Sequence, residues 1–326
     1  MKALLCKEFG PAEKLVLEEV APIEPGKGQV VVEVKACSVN FPDTLIIEGK
    51  YQLKPDLPFA PGTDVAGIVT KVGEGVPQTR VGERVLALPL WGGFAEEVAL
   101  DEARLIPIPP DLDFVTAAAF ALTYATSYYA LKDRAKLQPG ETLLVLGAAG
   151  GVGLAAVELG KLMGAKVIAA ASSDEKLAVC RRYGADEVIN YNTENLKERL
   201  KTLTDGRGVD IVYDPVGGPS SEIALRNTAW EGRLLVIGFS NGEIPRIPLN
   251  LTLLKGCSIT GVFFGAFAQR EPNRYMQNFQ QLFVWIEEGK LKPLVSATYP
   301  LARAADAIKS LAERKVTGKI VIVPDS

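Results

Sequence analysis

A glycine-rich segment with the sequence GAAGGVG, residues 147–153, follows a short apolar run and opens an amphipathic stretch. A turn of this kind between a strand and a helix presents backbone N–H groups and the positive end of the helix dipole to a pyrophosphate. We expect Gly150 to let the backbone approach the phosphates and Gly153 to let the helix pack against the strand. Ala148 replaces the usual first glycine of the dinucleotide fingerprint, so the prediction depends on the strand and helix around the turn. The residues predicted to hold the phosphates are Ala149, Gly150, Gly151 and Val152.

The residues at the end of the next predicted strand, at 167–171, indicate whether NADH or NADPH is bound. Domains that prefer NAD carry Asp or Glu there, which bonds the ribose 2′-hydroxyl and repels a 2′-phosphate. Here residues 169–173 read AAASS, and Lys176 follows one helical turn later. We expect Asp174 and Glu175, in the first turn of the next helix, to face outward as partners of the helix dipole. Ser172 and Lys176 therefore favour NADPH; the alternative is that Lys176 is an ordinary solvated lysine.

The chain of 326 residues contains no histidine. This excludes Ser-His-Asp triads, histidine-ligated zinc hydrolases and dehydrogenases with a histidine base, because each needs an imidazole. Any proton that the protein moves must come from Tyr, Asp, Glu, Lys, Cys, a hydroxyl group or water.

Charge and cysteine content narrow the class of protein further. The formal net charge is -3, so no basic field is available to hold a nucleic-acid backbone. The four cysteines are far apart and form no C-x-x-C pair, a pattern typical of buried reduced thiols. We find neither a targeting segment nor an apolar run long enough to span a membrane, and we interpret the protein as cytoplasmic, with no membrane partner.

Two successive patterns of predicted secondary structure, first short strands and then alternating strands and helices, must position these residues. Short strands with turn residues between them are predicted at 3–6, 15–19, 29–36, 65–72, 84–87 and 94–100, typical of a compact barrel-like β domain. A helical pattern begins near residue 113. Beyond residue 138 apolar runs at 143–146, 167–171, 187–190, 211–213, 234–237 and 259–263 alternate with helices at 152–163, 175–183, 196–203 and 223–228.

That alternation predicts a parallel sheet covered by helices on both faces. The last segment, with helices at 273–288 and 302–313 and a strand at 319–323, is compatible with either domain.

Eight motifs occur in the same order as in one known family. They are GKGQV at 26–30, SVNFPDT at 38–44, PGTDVAG at 61–67, VGERV at 81–85, GGFAE at 92–96, AAGGVG at 148–153, DPVGG at 214–218 and TGK at 317–319. The chain resembles the medium-chain dehydrogenase/reductase superfamily, and within it the zinc-free quinone oxidoreductase (zeta-crystallin-like) branch.

The resemblance implies an α/β protein of two domains. A GroES-like β-barrel catalytic domain would take residues 1–124 and 266–326, and a doubly wound Rossmann domain that binds NADPH would take residues 125–265. Ligands would lie in a cleft at the carboxyl ends of the parallel strands. Asn40 and the pair Thr63-Asp64 stand where zinc-dependent relatives carry cysteine and histidine ligands, and the lobe with four structural cysteines is absent, so we expect no metal.

By the same resemblance, Asn40, Asp43 and Tyr51 form the catalytic wall of the cleft. Asn40 would donate to the substrate oxygen or order the nicotinamide ribose, Tyr51 is the candidate proton donor, and Asp43 would orient its neighbours. The alternatives are that Asn40 only forms a turn, Asp43 is a structural acceptor and Tyr51 packs at the rim.

Further cofactor contacts follow from the family. Thr126 would lie near the nicotinamide or diphosphate, and Tyr191 with Lys176 at the 2′-phosphate. The residues expected along the nicotinamide are Phe239, Ser240, Val262, Phe263 and Phe264. The strand around Phe263 would be the edge used for dimerisation, so we expect a homodimer.

These features predict metal-independent hydride transfer from NADPH to a quinone or a small conjugated carbonyl. Such acceptors are electron-poor and need positioning and an oxyanion donor rather than a metal. The alternatives are reduction of the C=C bond of a 2-alkenal, an enone or an enoyl thioester, and a non-catalytic NADPH-binding structural protein.

Overall fold

The structure is a computed structural model and describes residues 1–324. These residues form two compact units: residues 1–122 together with the segment from Pro293 onward, and residues 123–292. The first unit is thus interrupted along the chain by the second.

Strands and helices are numbered here in chain order. The strands are β1 (Lys2–Leu5), β2 (Val16–Glu19), β3 (Gln29–Ser38), β4 (Val65–Val72), β5 (Arg84–Ala87), β6 (Glu97–Asp101), β7 (Ile106–Pro107), β8 (Thr142–Val145), β9 (Lys166–Ala171), β10 (Glu187–Asn190), β11 (Val209–Asp214), β12 (Thr228–Val236), β13 (Ser258–Gly261), β14 (Val295–Pro300) and β15 (Lys319–Val323). The α-helices are α1 (Phe41–Ile47), α2 (Phe114–Tyr128), α3 (Gly151–Leu162), α4 (Asp174–Arg182), α5 (Leu196–Leu203), α6 (Pro219–Arg226), α7 (Asn250–Lys255), α8 (Phe264–Arg270), α9 (Pro272–Glu287) and α10 (Ala304–Ala312).

The first unit is built around strand β3. It pairs antiparallel with β4, β6 and β15, so the C-terminal strand joins the N-terminal part of the chain. The full sheet runs β14-β15-β3-β4-β5-β7, with β6 beside β3. Val30, Val31 and Val32 of β3 are fully buried, because β-branched side chains suit a pleated, packed surface.

The second unit is a parallel six-stranded sheet in the order β10-β9-β8-β11-β12-β13. The chain reverses direction of winding between β8 and β11, which is the switch point of a doubly wound sheet. Strands β8 and β9 are buried almost throughout, as expected where helices cover both faces. The predicted fold class is confirmed.

Three short helices were not predicted from the sequence: α1, α7 and α8. Each has six or seven residues, too few for an apolar period to emerge. Helix α1 positions two of the predicted site residues, because Asn40 is its N-cap and Asp43 lies in its first turn.

The boundaries of the units differ from those expected from the family. The chain leaves the second unit at residue 292 rather than 265, so α9 belongs to the second unit. Its aromatic face explains why: the Trp285 ring meets Tyr128 at 5.3 Å between centroids, and Asn278 Oδ1 accepts a hydrogen bond of 2.6 Å from Lys132 Nζ.

Among residues 1–324, none of the helices combines the length and the apolar character needed to cross a membrane.

Candidate active site

The phosphate-binding turn connects β8 to α3. Gly150 is the N-cap of α3 and provides no capping side chain, so the first backbone N–H groups of this helix are not satisfied by a cap. A Cβ added to Gly150 would have only one neighbour, the Gly147 carbonyl oxygen at 3.5 Å. A Cβ at Gly153, in contrast, would collide with the backbone of Gly147 and Ala148. The turn therefore offers open space beside a bare helix N-terminus, which fits a dinucleotide pyrophosphate.

The flanking positions agree with this geometry. Ala149 is buried beneath the turn, while Gly151 and Val152 are half-buried. Thr126 is buried on α2, and its neighbour Ser127 donates from Oγ to the Val152 carbonyl at 3.0 Å. The structure thus brings the Thr126 segment to the first turn of α3.

At the end of β9 a hydroxyl and an ammonium group meet. Lys176 Nζ donates to Ser172 Oγ at 3.4 Å, and Ser173 caps α4 by accepting from the Lys176 N–H. The Tyr191 N–H donates to the Ala171 carbonyl at 3.2 Å, and the Tyr191 side chain is 38% exposed. The backbone therefore brings Ser172, Lys176 and Tyr191 close together at the carboxyl ends of β9 and β10.

The carboxylate of Asp174 is engaged elsewhere. It accepts a hydrogen bond of 2.8 Å from Asn190 Nδ2, at the end of β10. Asn192, which the sequence did not single out, donates from Nδ2 to the Ser172 carbonyl at 2.7 Å and holds this segment in place. Its only sequence signal was its position just after a predicted strand.

The loops that follow β11 and β12 are bound to each other. Asp214 Oδ1 accepts from the Val216 and Gly217 N–H groups, both at 2.9 Å, and Oδ2 accepts from Ser221 Oγ at 2.5 Å. The Ser240 N–H donates to the Pro215 carbonyl at 3.0 Å. The DPVGG motif therefore shapes the loop that carries Phe239 and Ser240, a role that the sequence did not disclose.

The segment after β13 carries the remaining residues predicted along the nicotinamide. The Val262 N–H donates to the Val236 carbonyl at 3.1 Å. Phe263 is 61% exposed, whereas Phe264 is buried and packs against Tyr129 and Phe267. Phe264 is thus part of an aromatic core.

In the first unit, Asn40 is the centre of a buried polar network. Its Nδ2 donates to Asp64 Oδ2 at 2.8 Å and to Thr63 Oγ1 at 2.9 Å. Its Oδ1 accepts from Lys319 Nζ at 2.5 Å. Asp64 also accepts from the Ser38 N–H and hydroxyl, both at 2.6 Å. The amide of Asn40 therefore has a partner at each of its polar atoms inside the unit.

The network contains groups that are far from their ordinary titration range. Burial raises the pKa of Asp43 from 3.8 to about 7, against the opposing effect of its hydrogen bond from the Asn40 N–H. Burial likewise raises the pKa of Asp64, although the Lys319 ammonium opposes the shift. Loss of water lowers the pKa of Lys319 itself. Asp43 accepts from Asn40 N at 2.7 Å and from Gly62 N at 3.2 Å, so it joins two chain segments.

Tyr51 is half-buried and packs against the core of the first unit. Burial raises the pKa of its phenol, and the negative charge of Asp43 adds to the shift. The phenol is therefore protonated near neutral pH and can act as a donor. The structure brings Asn40 and Asp43 into contact and places Tyr51 within the electrostatic influence of Asp43.

The four cysteines are buried and none forms a disulfide. Within residues 1–324 no three His, Cys, Asp or Glu side chains are grouped closely enough to hold a metal ion.

Comparison with known proteins identifies the family. The model of the alcohol dehydrogenase GroES-like domain matches residues 26–110, and that of the zinc-binding dehydrogenase matches residues 151–282. The quinone oxidoreductase-like protein 2 homolog of Nematostella vectensis is 42% identical over 98% of this chain and 88% of its own length.

Solved structures agree. The Escherichia coli quinone oxidoreductase complexed with NADPH is similar with a TM-score of 0.94 at 32% identity, over 99% of this chain and 100% of that chain. The Thermus thermophilus quinone oxidoreductase, also solved as an NADPH complex, has a TM-score of 0.85 at 35% identity, over 99% of this chain and 100% of that chain.

A GroES-like unit interrupted by a doubly wound sheet, with these matches, defines an oxidoreductase of the medium-chain dehydrogenase/reductase class. Within that class, the chain belongs to the quinone oxidoreductase family. The family predicted from the sequence is confirmed.

Proposed function

We propose that the protein uses NADPH to reduce a quinone or a small conjugated carbonyl. The observation that carries the proposal is the phosphate-binding turn at Gly150 together with the Ser172–Lys176 contact at the end of the neighbouring strand. The first feature suits a dinucleotide pyrophosphate and the second suits a 2′-phosphate. Quinone oxidoreductases from two organisms that resemble this chain were solved with NADPH, which supports the choice of cofactor.

Asp174 does not take the place of the carboxylate that binds the ribose in NAD-preferring domains. A carboxylate at this position would repel a 2′-phosphate, but the Asp174 side chain accepts a hydrogen bond from Asn190 Nδ2. Ser172 and Lys176 then supply the hydroxyl and the cation that a phosphate dianion needs.

NADPH, when bound, supplies a hydride from its nicotinamide ring to the electron-poor acceptor. We assign the proton to Tyr51, whose phenol stays protonated because burial and the charge of Asp43 raise its pKa. Both N–H groups of the Asn40 amide are already used within the network. Asn40 therefore acts in this proposal by holding the catalytic wall in place, and Asp43 by orienting the start of α1.

The acceptor is the open part of the proposal. A quinone accepts a hydride with little help, whereas an enone or an enoyl thioester needs a donor for the developing enolate and later a proton. NADPH oxidation should be measured side by side with 1,2-naphthoquinone, a 2-alkenal and crotonyl-CoA. Turnover with any of them supports a reductase and its relative rates name the acceptor class; NADPH binding without turnover on all three would favour the non-catalytic alternative.

We also propose a homodimer formed through β13. This strand is the edge of the parallel sheet, and Ile259 and Phe263 on or beside it are exposed. An unpaired apolar edge is commonly covered by a symmetry-related copy. Light scattering after gel filtration should give twice the chain mass, and Ile259→Lys should give a monomer. Leu17→Lys, an equally exposed position in the first unit, is the matched control and should leave the mass unchanged.

We assign the reaction to the cytoplasm, where four buried thiols such as Cys37 and Cys180 stay reduced.

A further inference from the structure

Lys319, in the first unit, is a buried lysine that the apolar packing of its strand does not require. Lys319 begins β15, whose other residues read IVIV, and it is only 5% exposed. Burial of an ammonium group is costly unless specific acceptors surround it. Lys319 Nζ donates to the Val39 carbonyl at 2.7 Å and to Asn40 Oδ1 at 2.5 Å. The lysine is therefore held in place by the residues that begin the catalytic wall.

The partners of Asn40 permit only one orientation of its amide. A primary amide can turn so that its oxygen and nitrogen exchange places, unless the neighbours distinguish donor from acceptor. The Lys319 ammonium can only donate, so it admits only Oδ1 on its side. On the other side Asp64, whose Oδ1 accepts from the Ser38 N–H, takes Nδ2 at its Oδ2. Lys319 and Asp64 thus fix the amide from opposite directions.

The orientation of Asn40 is coupled to the rest of the wall through the backbone. Asn40 is the N-cap of α1, and its N–H donates to Asp43 Oδ2 at 2.7 Å. Burial raises the pKa of the Tyr51 phenol, and the charge of Asp43 adds to that shift. Hydrogen bonds therefore link Lys319 through Asn40 to Asp43, whose charge acts on the proposed proton donor.

We propose that Lys319 is a positioning residue for the reduction, acting through the Asn40 amide to hold Asp43 and Tyr51 in their working arrangement. The proposal rests on the proposed function, because the reaction that it serves is the one assigned there. In the sequence Lys319 was visible only as the end of the TGK motif, without a role.

A double-mutant cycle tests the route through Asn40. Lys319→Met should lower kcat with a 2-alkenal roughly tenfold to a hundredfold, the usual scale for a displaced catalytic group, while the Kd for NADPH is unchanged. In an Asn40→Leu background the same substitution should cause little further loss, because the amide through which it acts is gone. Losses that simply multiply in the double variant would mean that Lys319 acts independently of the Asn40 amide and would overturn the proposal.

A second measurement does not depend on activity. In asparagine-labelled protein, the side-chain amide protons of Asn40, assigned by their absence in Asn40→Leu, should exchange slowly with water. Lys319→Met should accelerate this exchange by about tenfold or more, as expected when a hydrogen bond worth about 1.4 kcal/mol is lost, whereas Lys319→Arg, which keeps the charge and donors, should restore part of the protection and of kcat.

Lys309→Met, which removes an exposed lysine paired with Glu13, is the matched control and should change neither exchange nor kcat. Unchanged exchange in Lys319→Met would overturn the proposal, and if that variant does not fold, Lys319→Gln, which removes the charge, should likewise accelerate the exchange and carries the same comparison. Wild-type protein that reduces none of the three acceptors would refute the proposed function, while the exchange measurement would still decide whether Lys319 orients Asn40.

Discussion

The carbonyl oxygen of Gly147 lies 2.3 Å from the position that a Cβ would take at Gly153. No side chain fits there without displacement of the backbone, so this glycine is required for the turn to close on α3. Gly150, only three residues earlier, has open space at the same position. The two glycines therefore serve different purposes.

We predict opposite effects for alanine at these positions. Gly153→Ala should lower the free energy of unfolding by about 1–3 kcal/mol, the usual result of overpacking. Gly150→Ala should leave stability nearly unchanged but weaken NADPH binding by about tenfold, because its methyl group occupies space beside the helix N-terminus. Urea unfolding and fluorescence titration of both variants check this, and equal effects of the two would contradict the distinct roles.

The Ser172–Lys176 contact predicts cofactor preference. NADPH should bind at least about tenfold more tightly than NADH, and Lys176→Ala should weaken NADPH binding by about 1–3 kcal/mol with little effect on NADH. Titration of protein fluorescence with each cofactor measures both. Lys161→Ala, which removes a surface lysine paired with Asp186, is the control. Equal affinities for the two cofactors in the wild type would refute the assignment of the 2′-phosphate site.

Tyr51 should matter most where the acceptor needs a proton. We expect Tyr51→Phe to lower kcat on an enone by roughly tenfold to a thousandfold and to cost a quinone much less, because the quinone needs little help with its oxyanion. NADPH affinity should stay normal, since we assign the phosphates to the turn at Gly150 and Gly151. Steady-state kinetics with both acceptor types test the idea; an unchanged kcat on every substrate would make Tyr51 a packing residue and water the proton source.

The raised pKa of Asp43 predicts a pH-dependent stability. Its folded-state value of about 7 exceeds the usual 3.8, so the native protein binds more protons than the unfolded chain between those two values. The free energy of unfolding should therefore fall as pH rises through this interval, by at most about 4 kcal/mol at 1.36 kcal/mol per pH unit.

In the full-length protein, the unfolding of the first unit can be followed separately from that of the second. Trp91, which packs on its core, reports urea unfolding once Trp230 and Trp285 are replaced by Phe. Asp43→Asn in that background should remove part of the downward slope, and the slope that remains comes from other buried groups such as Asp64. Stability curves that run parallel from pH 5 to pH 8 would mean that Asp43 does not titrate in the folded state.

Activity should survive exhaustive chelation, and purified protein should contain no stoichiometric zinc. The reason lies in the composition: the chain has no histidine and only four well-separated cysteines. Elemental analysis and assays after dialysis against a chelator decide the question. One tightly bound zinc ion per chain would overturn the metal-independent mechanism.

Whether a contact could be predicted from the sequence depends on how far apart its residues lie along the chain. The turn at 147–153 and the end of β9 are local in sequence, and their neighbours were predicted together with the correct elements. The Lys319–Asn40 contact joins residues 279 positions apart and depends on the register of β15 against β3, for which the sequence has no local signal. The limit of the second unit at residue 292 likewise depends on aromatic packing of α9 that no motif records.

The return of the chain to β3 has a consequence for folding during synthesis. All residues of the second unit, 123–292, are synthesised before β14 and β15. The entire parallel sheet is therefore synthesised after Asp43 and Asp64 and before Lys319, so the two carboxyl groups lack the Lys319 ammonium during that time. The nascent first unit exposes the edge of β3 during that time, and we expect chaperones to bind this edge preferentially.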